Sequence, residues 1–207
     1  ETVSDNDNLA LGGPPEYIIS ANANAGFSIL KYESIGQNPV SIPHGLSASP
    51  NMILIKCTSD GSTNWIVYHS SLGQNKYLTL NDSSSEDTSG NWLIPNASTM
   101  KFNQTFGNVN TSGRQYIAYC FHDVTGYSKF GSYTSNATTK ITTGFQPDFF
   151  IFKYIGGGDW YIQDATQTEG ATGIHGGNLL KKYYVPNTSA AEDSVSTGGV
   201  EIMSDGF

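Results

Sequence analysis

The sequence predicts an all-β protein that consists of two tandem, related β-sandwich modules of the jelly-roll type. The composition is typical of β-sheets joined by long polar turns, since only 14% of the 207 residues are charged, 12% are aromatic and 23 are Gly. No segment combines the apolar period of a helix with capping residues, whereas short apolar segments alternate with turn signals throughout. The strongest indication is an internal repeat, which predicts that one β-rich unit occurs twice.

Three segments recur in the same order along the chain. They are a Gly turn followed by a Pro-led strand, a strand that begins at a Trp, and a Lys-Tyr strand followed by a Glu-Asp pair. The matched ranges are 45–56 with 144–153, 64–68 with 159–162, and 76–87 with 182–193. We expect residues present in both copies to build the unit, and functional residues to lie among those that differ.

Strands are predicted where apolar or alternating residues stand between turn signals. In the first copy the predicted strands are 17–20, 27–32, 52–57, 65–69, 76–80, 99–102 and 114–122. In the second copy they are 127–130, 139–143, 149–154, 160–164, 181–185 and 199–203. The clearest of them is 114–122, which closes the first copy.

The predicted domain boundaries follow the repeat. Residues 1–19 are expected to be an N-terminal linker or extension, 20–127 the first repeat and 128–207 the second. The second copy has no counterpart of 114–122, so its sandwich is expected to be incomplete at the C-terminus. Because an open sheet edge is usually covered, we expect a continuing chain or a neighbouring chain to supply the strand, and a fragment is the favoured explanation.

The charge distribution argues against several functional classes. The net charge is −8 and Lys and Arg form no cluster, which disfavours nucleic acids and anionic membrane surfaces as partners. The longest apolar segments have the length of strands, so no membrane-spanning helix is expected. Two cysteines, Cys57 and Cys120, are interpreted as small buried thiols.

Catalytic and metal chemistry are not favoured by the pattern of acids and histidines. Paired acids such as Glu86-Asp87 and Glu192-Asp193 could hydrolyse glycosides, but their recurrence at equivalent positions favours a structural role. The four His residues lack metal-ligand spacing, so no metal or cofactor is expected. If the chain were a depolymerase, the acids that the second copy offers are Asp159, Asp164, Glu169 and Glu192.

Aromatic and polar residues remain as candidates for ligand contact, because sugar rings stack on Trp and Tyr faces. The candidate ligand-binding residues are Trp65, Tyr68, Trp160, Tyr161, Gln163 and His175. The competing interpretation is that the two Trp residues, at matched positions, fill the core of each copy. Loops without a counterpart, at 103–113 and 163–177, are the other predicted places for a ligand surface.

Several motifs carry a resemblance to a known family. They are SANANAGFSI at 20–29, HGL at 44–46, YIAYCFH at 116–122, GYSKFGSY at 126–133, GFQPDF at 144–149 and NTSAAE at 187–192. From Ser20 to its end the chain resembles a repeat region of virion proteins from marine tailed phages, especially cyanophages. In that family the region often lies near concanavalin-like modules, is regarded as forming tail fibres or other surface structures, and commonly continues past the Asp-Gly-Phe at 205–207. The resemblance implies no catalytic residue.

The resemblance and the composition together favour a non-enzymatic virion structural module of a tail fibre or adhesin. The expected partners are a host-surface glycan or protein and other virion proteins, and family analogy implies a homotrimer. The expected location is the tail or capsid surface of the virion, extracellular in the mature particle. Two alternatives stay open, namely a polysaccharide depolymerase domain and a purely structural capsid or tail decoration.

Overall fold

The computed structural model describes residues 2–4, 16–89, 92–103, 106–136, 139–196 and 199–207, with the side chains of all except 2–4 and 167–172. Most of the predicted linker at 1–19, namely residues 1 and 5–15, lies outside the described residues. The predicted all-β class is confirmed, because the described ranges form 18 short β-strands and three 3₁₀-helices, and no α-helix. No helix in these ranges is long and apolar enough to cross a membrane.

The strands are short and are spread along the whole described chain. Those before residue 122 are β1 (Thr2–Ser4), β2 (Tyr17–Asn22), β3 (Phe27–Glu33), β4 (Val40–Pro43), β5 (Met52–Cys57), β6 (Ile66–His69), β7 (Lys76–Thr79), β8 (Asp87–Thr88), β9 (Leu93–Pro95), β10 (Thr99–Phe102) and β11 (Gln115–Phe121). Those that follow are β12 (Phe149–Lys153), β13 (Trp160–Asp164), β14 (Thr168–Thr172), β15 (Asn178–Leu180), β16 (Lys182–Tyr183), β17 (Asp193–Ser194) and β18 (Val200–Ile202). The 3₁₀-helices are Ala23–Ala25, Ser70–Leu72 and Ala165–Gln167.

The Cα positions divide the chain into two compact units. The first unit consists of the described residues of Glu1–Leu80, Glu86–Val124 and Ser128–Gly131. The second consists of those of Asn81–Ser85, Thr125–Tyr127 and Ser132–Phe207.

The first unit is built on an eight-stranded antiparallel sheet with the order β1-β2-β3-β11-β5-β6-β7-β8. The strand β11 lies between β3 and β5 and pairs with both. Its side chains alternate between buried and half-buried, with Tyr116, Ala118 and Cys120 on the buried side. Successive side chains of a strand point to opposite faces, so this alternation directs one face of β11 into the core.

A three-stranded sheet with the order β4-β10-β9 shares its core with the large sheet. Ile42, Met100 and Phe102 of the small sheet are fully buried in one cluster with Leu30 and Ile53 of the large sheet. Burying one large apolar side chain stabilises a fold by about 1.5–3 kcal/mol. Contact between the two sheets therefore contributes to the stability of the first unit.

Trp92 is the largest fully buried side chain of the described residues. Its ring lies 5.6 Å from that of Phe106 and 6.1 Å from that of Tyr77, measured between centroids, and its indole N–H donates to the carbonyl of Lys76 over 3.2 Å. Trp65, which the repeat suggested as a core residue, is only half-buried. It precedes the core residue Ile66 and therefore points to the other face of the sheet.

The second unit contains three small sheets, with the orders β12-β13, β14-β15-β18 and β16-β17. Its core cluster consists of the buried residues Phe150, Leu180 and Ile202, with Phe152 and Phe207 among the side chains packed against it. The rings of Phe150 and Phe207 are 4.9 Å apart and nearly perpendicular. This core is smaller than that of the first unit, which has 19 buried residues in its cluster.

The matched hairpins of the two units have the same register. In β5–β6, Ile53 lies opposite Tyr68, and at the matched positions of β12–β13, Phe150 lies opposite Gln163. The turns between these strands are also held in the same way. Nζ of Lys56 donates to the carbonyl of Thr63, and Nζ of Lys153 donates to the carbonyl of Gly158.

Two strands predicted in the second copy are absent, and those predictions are wrong. Residues 125–127 form a turn, closed by reciprocal backbone hydrogen bonds between Val124 and Ser128. The carboxylate of Asp123 accepts the backbone N–H of Phe130 over 2.7 Å, which draws 127–130 back onto the end of β11. At 139–143 only one isolated bridge forms, between Thr142 and Gly206.

Candidate functional site

Three of the six predicted ligand-contact residues are buried. The exposed fraction is 6% for Tyr68, 4% for Trp160 and 6% for Gln163. The Trp160 backbone N–H donates to Oδ1 of Asn187 over 2.9 Å, and its ring lies 5.9 Å from Nζ of Lys153. A ligand contact requires an exposed surface, so these three residues serve packing. Their prediction as ligand contacts is corrected.

Of two other candidates, one exposes only part of its side chain and the other lies in a turn. Trp65 is half-buried and stacks on Tyr119, with ring centroids 6.2 Å apart. His175 is exposed in the turn that joins β14 to β15. Its backbone N–H donates to the carboxylate of Glu201 over 2.9 and 3.0 Å, so the turn is fixed through the backbone of His175.

Tyr161 is the candidate that lies on a strand and exposes its ring. It lies on β13 with 38% of its surface exposed. Its ring centroid is 5.4 Å from that of Tyr183 on β16, and the ring planes meet at 72°. We call these two residues the tyrosine pair. The antiparallel bridge between Ile162 and Tyr184 joins the two chain segments and brings the pair together.

One member of the tyrosine pair, Tyr161, differs in exposure from its counterpart in the first unit, whereas Tyr183 is half-buried. Residues matched to the pair are Ile66, which is fully buried, and Tyr77, which packs against Trp92. Position 161 therefore has an accessible ring where the first unit has a buried aliphatic side chain, whereas Tyr183 and its counterpart Tyr77 are the same residue and are both half-buried.

Polar groups border the tyrosine pair. The phenol of Tyr183 donates to Oδ2 of Asp193 over 3.0 Å, and this hydrogen bond raises the pKa of Tyr183 above its usual value of 10. The phenol is therefore protonated at neutral pH. The side-chain amide of the buried Gln163 donates to the carbonyl of Lys182 over 2.9 Å, which ties β13 to β16 beneath the rings. Ring faces beside fixed polar groups are suited to a polar ligand with a CH-rich face, such as a sugar.

The paired acids that resembled a glycosidase site are structural in both units. Nζ of Lys76 donates to Oε1 of Glu86, and Nζ of Lys182 lies 3.1 Å from Oε2 of Glu192. In each unit the neighbouring Asp accepts from the Tyr that follows the Lys. The recurrence predicted a structural role, and the contacts are those of a repeated strand pair.

Other acids of the second unit are also held by local hydrogen bonds. Asp159 accepts from the side chain of Asn187 over 2.8 Å, and Asp164 accepts the backbone N–H of Thr166 over 2.9 Å at the start of a 3₁₀-helix. The side chain of Glu169 lies outside the described residues. Among the described residues, no group of three or more His, Cys, Asp or Glu side chains could hold a metal ion.

A family described as a domain of unknown function, DUF7483, matches residues 12–207. The chain belongs to this family. Comparisons with curated proteins and with solved structures found no match.

The match to the DUF7483 family includes residues of both units. Its description gives no function, so a site can be assigned only from the structure.

The loop at 103–113, predicted as a ligand surface, is anchored in the first unit where it is described. The carbonyl of Val109 accepts from the phenol of Tyr32 over 2.8 Å, and Oδ1 of Asn110 accepts from Ser34 over 2.6 Å. Of the tyrosine pair, only Tyr161 was predicted as a ligand contact. Tyr183 was predicted as part of a repeated strand and not as a partner of Tyr161.

Proposed function

We propose that this chain is a non-enzymatic module of a phage tail fibre or adhesin and that its tyrosine pair contacts a host-surface glycan. The observation that carries the proposal is the exposed ring of Tyr161 beside the half-buried ring of Tyr183, at a position where the first unit has the buried Ile66. Tyr side chains supply large contact areas at a low cost in conformational entropy, as they do in antibody loops.

The finer architecture is part of the same proposal. We propose that the two units are related β-sandwich modules in tandem. The equal registers of β5–β6 and β12–β13 support a common origin, and the shared core of two sheets in the first unit supports a sandwich. The resemblance to marine phage virion proteins supports a location on the tail or capsid surface, with other virion proteins as partners.

A single tyrosine pair binds a sugar weakly, so attachment requires many copies. A homotrimeric fibre, implied by the family resemblance, would present three pairs, and a virion carries several fibres. Linked sites raise avidity by ~100-fold or more without new contacts. This multiplication makes a modest saccharide site sufficient for attachment.

The proposal is tested with an array of bacterial envelope glycans and with intact marine cyanobacteria. We expect the chain to bind a subset of glycans and expect Tyr161→Ala to reduce the binding at least tenfold. Tyr127→Ala, which removes a ring that is 67% exposed in a turn, is the matched control and should retain binding. Equal binding by both variants would refute the assigned surface, and no binding to any glycan or cell would favour a structural decoration.

An assay of polysaccharide cleavage distinguishes the depolymerase alternative from a binding module. Incubation of envelope polysaccharide with the chain should leave the polymer length unchanged, because a binder cleaves no bond. New reducing ends would instead identify an enzyme.

A further inference from the structure

His44 is a buried histidine at the end of β4 in the first unit. Its exposed fraction is 0%, and it begins the His-Gly-Leu motif at 44–46. This motif follows the last residue of β4 and precedes β5, so it leads the chain from the small sheet to the large one. Buried polar side chains have hydrogen-bond partners, and those of His44 show what the residue holds.

Both ring nitrogens of His44 have partners, and the two partners differ in kind. Nδ1 accepts the backbone N–H of Leu46 over 3.1 Å, so this nitrogen carries no proton. Nε2 lies 2.9 Å from the backbone carbonyl oxygen of Asn96, which can only accept, so the Nε2–H donates to it. The structure therefore requires the neutral imidazole with its proton on Nε2.

The backbone of His44 makes two further hydrogen bonds to other elements. Its N–H donates to the carbonyl of Ser98 over 3.3 Å, and its carbonyl accepts from the hydroxyl of Ser28 over 2.5 Å. Ser28 belongs to β3 of the large sheet, whereas Asn96 and Ser98 lie between β9 and β10 of the small sheet. His44 therefore joins the two sheets of the first unit.

The two residues after His44 are packed closely against the large sheet. Gly45 has a φ of 73°, and a Cβ atom added to it would lie 2.9 Å from the side chain of Ile19 and 3.0 Å from that of Ala21 on β2. The side chain of Leu46 is 7% exposed and belongs to the core cluster. Because this packing is tight, the segment has little room to adjust to a change in the hydrogen bonds of the ring.

A second buried histidine acts on His44. His122 directly follows β11, is 8% exposed, and has its Nδ1 2.6 Å from the carbonyl oxygen of Asp123, to which it must donate. Its Nε2 is buried and has no hydrogen-bond partner among the described residues. The first unit thus holds two buried imidazoles whose charges disfavour each other.

The other groups that face His44 offer no negative charge to balance a proton. From β2, β3 and the loop at 96–98 they are apolar side chains, a hydroxyl and backbone carbonyls. The carboxylate of Asp123, beside His122, binds Nζ of Lys129 over 2.6 Å. A positive charge on His44 would therefore be buried without an acid as its partner, which is costly.

The pKa of His44 follows from these surroundings. Burial lowers this pKa below its usual value of 6.5, the hydrogen bond to Asn96 raises it, and His122 lowers it again, with a net decrease. Because the folded pKa is lowered, the stabilisation by the neutral ring is complete above 6.5 and is lost as pH falls through the folded pKa.

We propose that His44 is an acid-sensitive latch, which releases the segment 44–46 from both sheets of the first unit when its ring takes up a second proton. A proton on Nδ1 would place an N–H against the N–H of Leu46, so that two donors face each other without an acceptor. The segment must then move for the charged ring to reach water. The latch lies within the first unit and does not depend on the proposed glycan function.

Amide exchange of the complete chain, followed by NMR, tests the latch without a variant. We expect the protection of the Leu46 amide, relative to the intrinsic exchange rate at each pH, to fall about tenfold or more between pH 7 and pH 5. Ala118, which lies in β11 between two paired strands, is the internal reference, and its protection should change by less than about twofold. Constant protection of Leu46 would overturn the proposal, and so would an equal fall at both amides, since it would show unfolding of the whole unit.

A non-titrating variant identifies the group that takes up the proton. In His44→Asn the side-chain oxygen can still accept the N–H two residues ahead, so we expect protection of Leu46 that no longer depends on acid. The matched control is His69→Asn, because Nδ1 of His69 accepts the N–H of Ser71 over 3.2 Å in the same local arrangement. This control should keep the acid dependence at Leu46. Acid dependence that persists in His44→Asn would assign the proton to another group and overturn the proposal.

The ring of His44 gives a third measurement in the unchanged protein. Nitrogen-15 spectra of the imidazoles should show the neutral form with its proton on Nε2 at pH 7, and this signal should be lost over the same pH range as the protection of Leu46. A ring that is already charged at pH 7, or that carries its proton on Nδ1, would contradict the latch.

Discussion

Tyr77 donates a hydrogen bond from its phenol to Oδ2 of Asp87 over 2.8 Å, and the two residues lie directly opposite each other in β7 and β8. Tyr183 and Asp193 have the same relationship in β16 and β17, with a hydrogen bond of 3.0 Å. In both units the same acid thus holds a strand of only two residues against its neighbour. This recurrence explains why the acids are repeated in the sequence.

Replacing Asp193 by Asn should lower the pKa of Tyr183. The hydrogen bond to Asp193 is the largest cause that raises this pKa, and the amide keeps the size of the side chain but not its charge. Because the folded pKa is raised, the bond stabilises the fold below the usual value of 10, and the stabilisation is lost as pH rises through the folded pKa. An NMR titration of the Tyr183 ring measures the change.

The control for this titration is Asp87→Asn, which removes the matched acid of the other unit. It should leave the titration of Tyr183 unchanged. A Tyr183 pKa that is the same in Asp193→Asn and in the unchanged protein would contradict the role given to this hydrogen bond.

Replacing Trp92 by Ala should destabilise the first unit by about 3–5 kcal/mol, because the change leaves a large cavity in a packed core. Trp65→Ala is the matched control and should cost clearly less, since that ring is half-exposed on the other face of the sheet. Urea unfolding followed by circular dichroism measures both changes. Equal losses for the two variants would show that burial does not distinguish the two rings.

Replacing Glu201 by Gln should loosen the turn at 173–177. Burial alone would raise the pKa of Glu201, but the backbone N–H groups of His175 and Gly177 donate to its carboxylate and the pKa is lowered. A lowered folded pKa means that the stabilisation is present above the usual value of 4.5 and is lost as pH falls through the folded pKa. The protection of the His175 and Gly177 amides from exchange, relative to the intrinsic exchange rate at each pH, should therefore fall in acid.

In Glu201→Gln the same amides should exchange faster already at neutral pH, with a weaker dependence on acid. Glu192→Gln, which alters an exposed acid, serves as the control and should leave them unchanged. If the unchanged protein and Glu201→Gln exchanged equally at neutral pH, the carboxylate would not be what holds the turn.

Both cysteines should resist thiol reagents in the folded protein. Cys57 and Cys120 are buried and unpaired with each other, and burial raises the pKa of the Cys120 thiol to about 12. The thiolate of Cys120 is therefore scarce at pH 8, and burial makes both thiols inaccessible to the reagent. Labelling with a chromogenic disulfide should detect no thiol at pH 8 and two in guanidinium. Rapid labelling of the folded chain would contradict the burial of both residues.

Sequence patterns predicted the fold best where local alternation and tertiary burial agree. The strand β11 was predicted within one residue at each end because its buried face follows a period of two. Residues 127–130 have a similar local pattern but form a turn region, since the carboxylate of Asp123 binds Lys129 as well as the backbone of Phe130. A pattern of apolar residues does not predict that a carboxylate will bind a segment and prevent it from forming a strand.

The candidate site, too, was predicted from the sequence only in part. Tyr161 was predicted from its aromatic ring, but only the structure shows that this ring is exposed while the matched Ile66 of the first unit is fully buried. Trp160, equally aromatic, is buried. Exposure depends on which side chains pack on a ring, and that is a property of the assembled unit.

The sequence by itself determined the β class, the repeat and the structural role of the repeated acids, because strand alternation and duplication are visible in the order of residues. Only the tertiary structure decided which aromatic rings are accessible. This property arises from contacts between segments far apart in the chain, which decide what water can reach.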